Sequence, residues 1–448
     1  MAPQPGNEKG RLEVAAAADA GTLPLREEAT VEAPSELRRI LSKGRVRGAL
    51  AIMGPAFVAS VAYVDPGNFA TNFASGAEYG YLLVWVIVMA NLMAILVQYL
   101  TSKAGLSTGK SLPELCQAAF PRRANLVLWI QAEVVAMATD LAEFVGAALG
   151  LNLVFGVPLF LAGLITAVIA FGILALEQRG YRKFELAIIA LLGLVAAGFI
   201  YVFFTAGHQD WGGIANGLIP RLQGSNTLEL TVGIIGATVM PHVVYLHSAL
   251  QRNRIPAVDQ EERQTLLRFN RWDCFIGLGI AGFVNLSMLC IAAALFHKPG
   301  LEGVSDLGPI HAHLDTLVGG GAALAFGVAL MASGFSSSSV GTYAGQIVME
   351  GFMGWRIPLM LRRALTMIPS LVVLALAVNT SQALVYSQIV LSFGIPFAII
   401  PLLLITRKAG VMGDMVNRRL TSAVMAAVAV VITGLNVYLL YSEITGLL

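Results

Sequence analysis

Residues 48–79 read GALAIMGPAFVASVAYVDPGNFATNFASGAEY. The stretch is long and apolar enough to cross the ~30 Å hydrocarbon core of a bilayer as a helix. Near its middle stand Asp65-Pro66-Gly67-Asn68, which an uninterrupted helix would not carry. Pro66 has no N–H, so the carbonyl four residues earlier, that of Ala62, loses its donor. Gly67 adds backbone freedom at the same place. A second stretch, GATVMPHVVYLHSAL at residues 236–250, repeats the pattern. There Pro241 releases the carbonyl of Ala237, and Met240 occupies the position before its proline that Asp65 occupies before Pro66. Both helices are predicted to break at mid-membrane.

The rest of the chain is built of similar stretches. Apolar segments fall at 48–79, 81–101, 125–150, 157–177, 184–206, 227–250, 272–296, 319–349, 359–378, 382–406 and 420–444, which predicts eleven transmembrane helices. A β-barrel would show short alternating segments instead. Of the 448 residues 56% are hydrophobic and 12% charged, against roughly 25% charged in soluble domains. Such a chain could not cover itself with polar surface in water, and a net charge of +2 offers no basic face for nucleic acid. Cys116, Cys274 and Cys290 have neither metal-site spacing nor an even count for disulfides. Residues 1–46 are polar and lack the apolar core of a signal peptide, which predicts a disordered cytoplasmic tail.

Orientation follows from the basic residues. With the N-terminus inside, 27 of the 29 Lys and Arg fall on cytoplasmic segments and only Arg221 and Lys298 fall outside. The opposite topology would reverse that bias. Eleven spans then place the C-terminus outside.

Pro66 and Pro241 are 175 residues apart, close to the offset between the starts of spans one and six. Five spans per unit bring the second unit in from the opposite side, the pattern of an inverted repeat whose broken helices form a midplane site. The predicted organisation is a first five-helix repeat at 47–206, a second at 207–406 and an eleventh helix within 407–448. What the breaks offer is cation chemistry: the carboxylate of Asp65, the amide oxygen of Asn68, the carbonyls of Ala62 and Ala237, and the thioether of Met240. Sulfur has little to give Ca²⁺ or Mg²⁺, whereas Mn²⁺ and Fe²⁺ accept a mixed oxygen and sulfur shell.

Span three carries Glu133, Asp140 and Glu143, an expensive set at bilayer depth. Their spacing of seven and ten residues keeps them on one side of a helix over ~15 Å of axis. Such a ladder suits a proton relay or a static ion-pair network, with Arg362 and Arg363 at the start of span nine as partners. His242 could take up a proton near neutrality or hydrogen-bond the broken backbone. Gln388 in span ten reads by itself as an interhelical hydrogen bond, and Ser336 to Ser339 as small polar packing.

The two tripeptide signatures, the runs DPGNFATNFASGAEYGY at 65–81 and GATVMPHVVYLHSAL at 236–250, and QAEVVAMATDLAEF at 131–144 resemble the Nramp divalent-metal transporters, in particular the bacterial manganese members. The resemblance covers roughly residues 48–445. It implies an all-α LeuT-type fold of two inverted five-helix repeats plus an eleventh helix, and proton-coupled uptake of Mn²⁺ and Fe²⁺, with Co²⁺, Zn²⁺ and Cd²⁺ also accepted. Carried over to this chain, it makes Asp65, Asn68 and Met240 side-chain metal ligands, with a carbonyl from Ala62 or Ala237 and an approach by Gln388. It makes Asp65 the first proton acceptor, places Glu133, Asp140, Glu143, Arg362 and Arg363 along a proton exit route, and gives His242 an influence on pH dependence. The expectation is a symporter of the cell membrane rather than an enzyme. Its partners would be divalent metal ions, protons and the lipid bilayer, with no resident cofactor, no nucleic acid and no obligate protein partner. The rivals are a sodium-coupled amino-acid symporter of the same architecture, an intramembrane metalloenzyme and a passive divalent channel. Against the first stands an acid beside a thioether, against the second the lack of an H-E-x-x-H pair.

Overall fold

The computed structural model describes residues 35–178, 181–207, 209–252, 254–298, 301, 304–376 and 378–445, and every regular element among them is helical. Eleven membrane segments follow in order: α1a (Pro55–Ala62) and α1b (Pro66–Tyr79), α2 (Val84–Thr108), α3 (Arg122–Phe155), α4 (Leu159–Gln178), α5 (Tyr181–Thr205), α6a (Gly224–Thr238) and α6b (Pro241–Gln251), α7 (Gln260–Phe296), α8 (Gly320–Met353), α9 (Leu359–Ala375), α10 (Thr380–Thr406) and α11 (Arg419–Thr445). Eight of these, with α6a and α6b counted as one, are long and apolar enough to cross a membrane; α4 is a shorter apolar helix, and broken α1 and α9 complete the set. The interruptions fall where the prolines require them, at Tyr63–Asp65 and at Val239–Met240.

The helices of the second repeat answer those of the first. α3 and α8, five spans apart, are both 34 residues long and pack along each other as the spine of the molecule. Their contact is close because small residues line it, the means by which membrane helices gain dispersion energy without help from water. The spine supports both broken helices. A Cβ on Gly146 of α3 would stand 2.0 Å from the Pro66 ring, so only glycine lets α3 reach the first break.

Three expected boundaries move. Span one begins at Pro55, not at 48, because Gly54 takes a φ of +149° and separates α1a from a short helix at Arg45–Ile52. The exposed α1a amides are met by a carboxylate: Gly54 N–H donates to Asp273 Oδ1 at 3.1 Å and Ala56 N–H to Oδ2 at 3.0 Å. The last part of the segment expected to be disordered, 1–46, is instead helical at Glu36–Leu41 and from Arg45. Residues 1–34 lie outside the described set, but Glu36–Leu41 form a helix that rests on the start of α7. Arg38 pairs with Asp259 at 2.8 Å and with Glu262 at 3.2 Å, the Ser35 hydroxyl donates to Glu262, and Leu37 is buried with Ile52, Ile255 and Leu266. The polar composition concealed a single apolar anchor. α7 likewise starts at Gln260 instead of 272, since Asp259 caps it through the Glu262 N–H at 2.7 Å and the first three turns project beyond the apolar stretch.

α10 is bent by Pro396 and Pro401, which free the carbonyls of Ser392 and Phe397. Each finds a donor from another helix. Asn436 Nδ2 of α11 donates to Ser392 O at 2.8 Å, and Tyr245 OH of α6b donates to Phe397 O at 3.2 Å.

The contact at Pro66 gives a stability test with its own control. Gly146→Ala should cost about 1–3 kcal/mol through overpacking and lower the melting temperature in detergent. Gly172→Ala in α4, where nothing stands within 4 Å, should leave the melting temperature unchanged or raise it slightly.

Candidate functional site

The first break is a helix start made from its own sequence. Asp65 is the N-cap of α1b: its Oδ1 accepts the Asn68 N–H at 2.8 Å, and Asn68 Oδ1 accepts the Asp65 N–H at 3.3 Å. Both side chains are completely buried. The cap uses one carboxylate oxygen and leaves Oδ2 facing the gap. The carbonyls exposed by the break have different fates. Tyr63 O accepts from Asn285 Nδ2 at 2.8 Å and Val64 O from the Ser333 hydroxyl at 2.5 Å, while among the described residues no donor reaches Ala62 O.

The second break follows the same plan with different chemistry. Met240 stands at the N-cap of α6b, a position that favours Ser, Thr, Asp or Asn by about 1 kcal/mol, and its side chain makes no cap bond. Helix stability therefore does not explain a methionine here. Ala237 O, like Ala62 O, receives no donor among the described residues. Each break thus leaves the negative end of a half-helix next in sequence to a group that can bind a cation, α1a to the Asp65 carboxylate and α6a to the Met240 thioether.

Gln388 of α10 ties the two breaks together. Its Nε2 lies 3.4 Å from Asp65 Oδ2 and 3.1 Å from the Ser387 hydroxyl, and its Oε1 is buried without a partner. A Cβ on Gly67 would stand 1.8 Å from Gln388 Nε2, and one on Gly236 would stand 1.9 Å from the Gln388 carbonyl. Both broken helices therefore touch the same residue, each through a glycine.

Two histidines extend from the second break. The Thr139 hydroxyl spends its hydrogen on Val135 O at 2.9 Å, so its 3.3 Å contact with His242 Nδ1 requires the ring to donate. His242 Nε2 is left as a buried acceptor. Similarly, Gln98 Nε2 donates to Tyr63 OH, so Gln98 Oε1 receives His247 Nδ1–H at 2.9 Å and links α1, α2 and α6b.

The carboxylates of α3 form a ladder towards the face that holds the basic connections. Glu143, the deepest, is completely buried; Ser337 beside it donates instead to Ser333 O at 2.8 Å, and neither Glu143 oxygen accepts a hydrogen bond. Asp140 meets Arg363 at 3.2 Å, and Glu133 forms a two-pronged pair with Arg362 at 2.6 and 3.3 Å. Arg363 is held further by Ser338, through both hydroxyl and carbonyl, and by the Thr342 hydroxyl at 3.0 Å. The sequence reads Ser338 as packing alone and does not single out Thr342. Only their place on the α3-facing side of α8, four residues apart, could have marked them.

The two faces of the site differ. On the face opposite the basic connections, a cavity of about 440 Å³ is lined by Glu78, Glu229 and Asp306 and descends to Ala70 and Val385, three residues beyond Gly67 and three before Gln388. On the basic face, beside a cavity of about 520 Å³ lined by Glu185, Leu250 and Arg254, ion pairs and hydrogen bonds join the helices. Arg254 pairs with Glu185 at 3.0 Å, Asp273 holds the start of α1a, and Arg252 pairs with Glu114 at 2.8 Å. Burial draws the Glu114 carboxyl upward, but the Ser111 hydroxyl and N–H and the Arg252 guanidinium hold it below its ordinary range. That tie is present at neutral pH and is lost only as pH falls through the depressed value.

A family model described as natural resistance-associated macrophage protein-like, Nramp, matches residues 56–442. The chain belongs to the Nramp family. The divalent metal cation transporter MntH of Deinococcus radiodurans is 47% identical to it over 423 residues, covering 94% of this chain and 97% of that protein. The MntH of Mycobacterium tuberculosis is 48% identical over 397 residues, with 88% and 92% covered. A crystal structure of a point variant of the Eremococcus coleocola manganese transporter superposes with a TM-score of 0.81 at 33% identity, over 93% of this chain and 90% of that one. Mhp1, a nucleobase-cation symporter, shares the fold alone, with a TM-score of 0.56 at 15% identity. The LeuT-type architecture implied by the resemblance is the one observed.

In this Nramp chain the Asp140–Arg363 pair is almost wholly buried, so removing one charge strands the other. Arg363→Met should cost about 3–5 kcal/mol, and adding Asp140→Leu should recover much of it. Thermal unfolding of the single and double variants in detergent measures the difference; equal stabilities would mean that the pair does not hold α3 to α9.

Proposed function

We propose that this protein imports divalent transition metals, Mn²⁺ and Fe²⁺ foremost and Co²⁺, Zn²⁺ and Cd²⁺ as well, together with protons, by alternating access across a cell membrane with the N-terminus inside. The observation that carries the reading is the meeting of both broken helices at Gln388, with Asp65 Oδ2 facing the gap and two carbonyls left without donors. The relatives are named divalent metal cation or manganese transporters, and this supports metal as cargo. It also removes the metalloenzyme alternative.

An ion would enter through the cavity of Glu78, Glu229 and Asp306, whose negative charge raises the local cation concentration. At the breaks it would find Asp65, Asn68, the Met240 thioether and the Ala62 or Ala237 carbonyl. A turn of the Gln388 amide would replace its donor with Oε1 as a further ligand. Among the described residues no group of three His, Cys, Asp or Glu could hold a metal. The proposed shell is therefore one carboxylate and neutral donors, which suits release. Asp65 lies within electrostatic reach of Glu143, and Glu143 of Asp140 and Arg363, which supports a proton path from Asp65 along α3 to Glu133 and Arg362 at the basic face. His242 borders Thr139 of α3 and would modulate that path's response to pH.

Metal uptake into proteoliposomes loaded with a pH dye tests the proposal. Mn²⁺ entry should acidify the lumen; entry without acidification would make the protein a channel or uniporter. Met240→Ala should keep part of the Mn²⁺ transport while competition by Ca²⁺ or Mg²⁺ rises, and unchanged selectivity would remove sulfur from the account. Asp140→Asn should reduce proton movement more than Mn²⁺ binding measured by calorimetry. Loss of binding with intact proton flux would sever the ladder from the relay.

A further inference from the structure

The bend of α10 opens a groove of about 610 Å³ between the start of α3, the lower half of α10 and α11, walled by Phe120, Val127, Phe393, Phe397, Leu404 and Leu440. Its apolar character is built in. The two proline-freed carbonyls of this part of α10 are already taken by Asn436 and Tyr245, so neither is left seeking a partner in hydrocarbon. Phe393 sits at the middle of α10 and Leu404 near its end at the basic face. Eleven residues of helix span roughly 16 Å, about half of a hydrocarbon core, which is the depth of one leaflet.

The mouth at the basic face carries charge. Arg122 and Arg123 immediately precede the lining residue Ala124, and Arg407 and Lys408 follow Leu404 by one turn; all four are exposed. No Asp or Glu follows Arg407 and Lys408 until Asp414. Apolar walls one leaflet deep beneath a cationic rim match an acyl chain beneath a phosphate. We infer that this groove binds a single anionic glycerophospholipid of the basic-face leaflet, one acyl chain lying against Phe393 and Phe397 and the phosphate held by Arg123 and Arg407. The lipid would brace the segment of α10 that begins five residues beyond Gln388. The inference concerns binding and does not depend on which ion is carried.

Native mass spectrometry of the full-length protein tests it, with phosphatidylglycerol and phosphatidylcholine of identical acyl chains as probes. The wild type should retain one phosphatidylglycerol at about tenfold lower concentration than phosphatidylcholine. Ala124→Trp, and independently Leu440→Trp from the other wall, should abolish the retained lipid in protein that stays monodisperse. Arg123→Gln with Arg407→Gln should erase the preference for phosphatidylglycerol while phosphatidylcholine binds as before. Equal retention of the two lipids by the wild type would overturn the inference, as would undiminished retention in both tryptophan variants.

Discussion

A proline inside a membrane helix strips one carbonyl of its donor, and in hydrocarbon that oxygen must find another partner. The prolines of α1, α6 and α10 answer this demand in two ways. Those of α10 release Ser392 O and Phe397 O, and side chains from α11 and α6b take them up, so the bend is fixed by its neighbours. Those of α1 and α6 release Ala62 O and Ala237 O, and among the described residues nothing takes them up. The same covalent fact therefore builds a brace in one place and an electronegative gap in another. What separates the cases is whether a donor has been placed opposite.

The surroundings of the gap show that donors could have been supplied. One and two residues beyond Ala62, Asn285 and Ser333 satisfy Tyr63 O and Val64 O from α7 and α8. An unmet buried carbonyl costs about 1–3 kcal/mol in protein mutational series. Two of them, beside a methionine at a cap position that stabilises its helix poorly, make a set that folding alone does not account for.

Much of this was legible in the sequence because it depends on local rules. A run of apolar residues sets a span, and a proline names the carbonyl it frees. Asp65-Pro66-Gly67-Asn68 marks the break, whereas the cap that Asp65 and Asn68 form there is seen only in the structure. What was not legible depends on pairs distant in the chain. Asn436 meets Ser392 over 44 residues, Tyr245 meets Phe397 over 152, and Gln388 meets Asp65 over 323. Gln388 alone suggested packing, and only the two glycines against it show that both breaks close on it. The start of α1a was missed for a different reason: Gly54-Pro55 was read as part of one long span, although glycine followed by a first-turn proline also marks a new helix.

The placement of charge accounts for how one site could couple two ions. Asp140 and Glu133 each have an arginine, but Glu143, nearest to the breaks, has none hydrogen-bonded to it and lies within reach of Asp65. Two buried carboxylates within reach of each other repel when both are charged. On the proposed reading, a dication at Asp65 and a proton at either acid would relieve the same repulsion, so metal and proton occupancy would be linked through this pair. The arginines fix the far end of the ladder: Arg363 is bound by Asp140, Ser338 and Thr342 at once, which anchors it on α8.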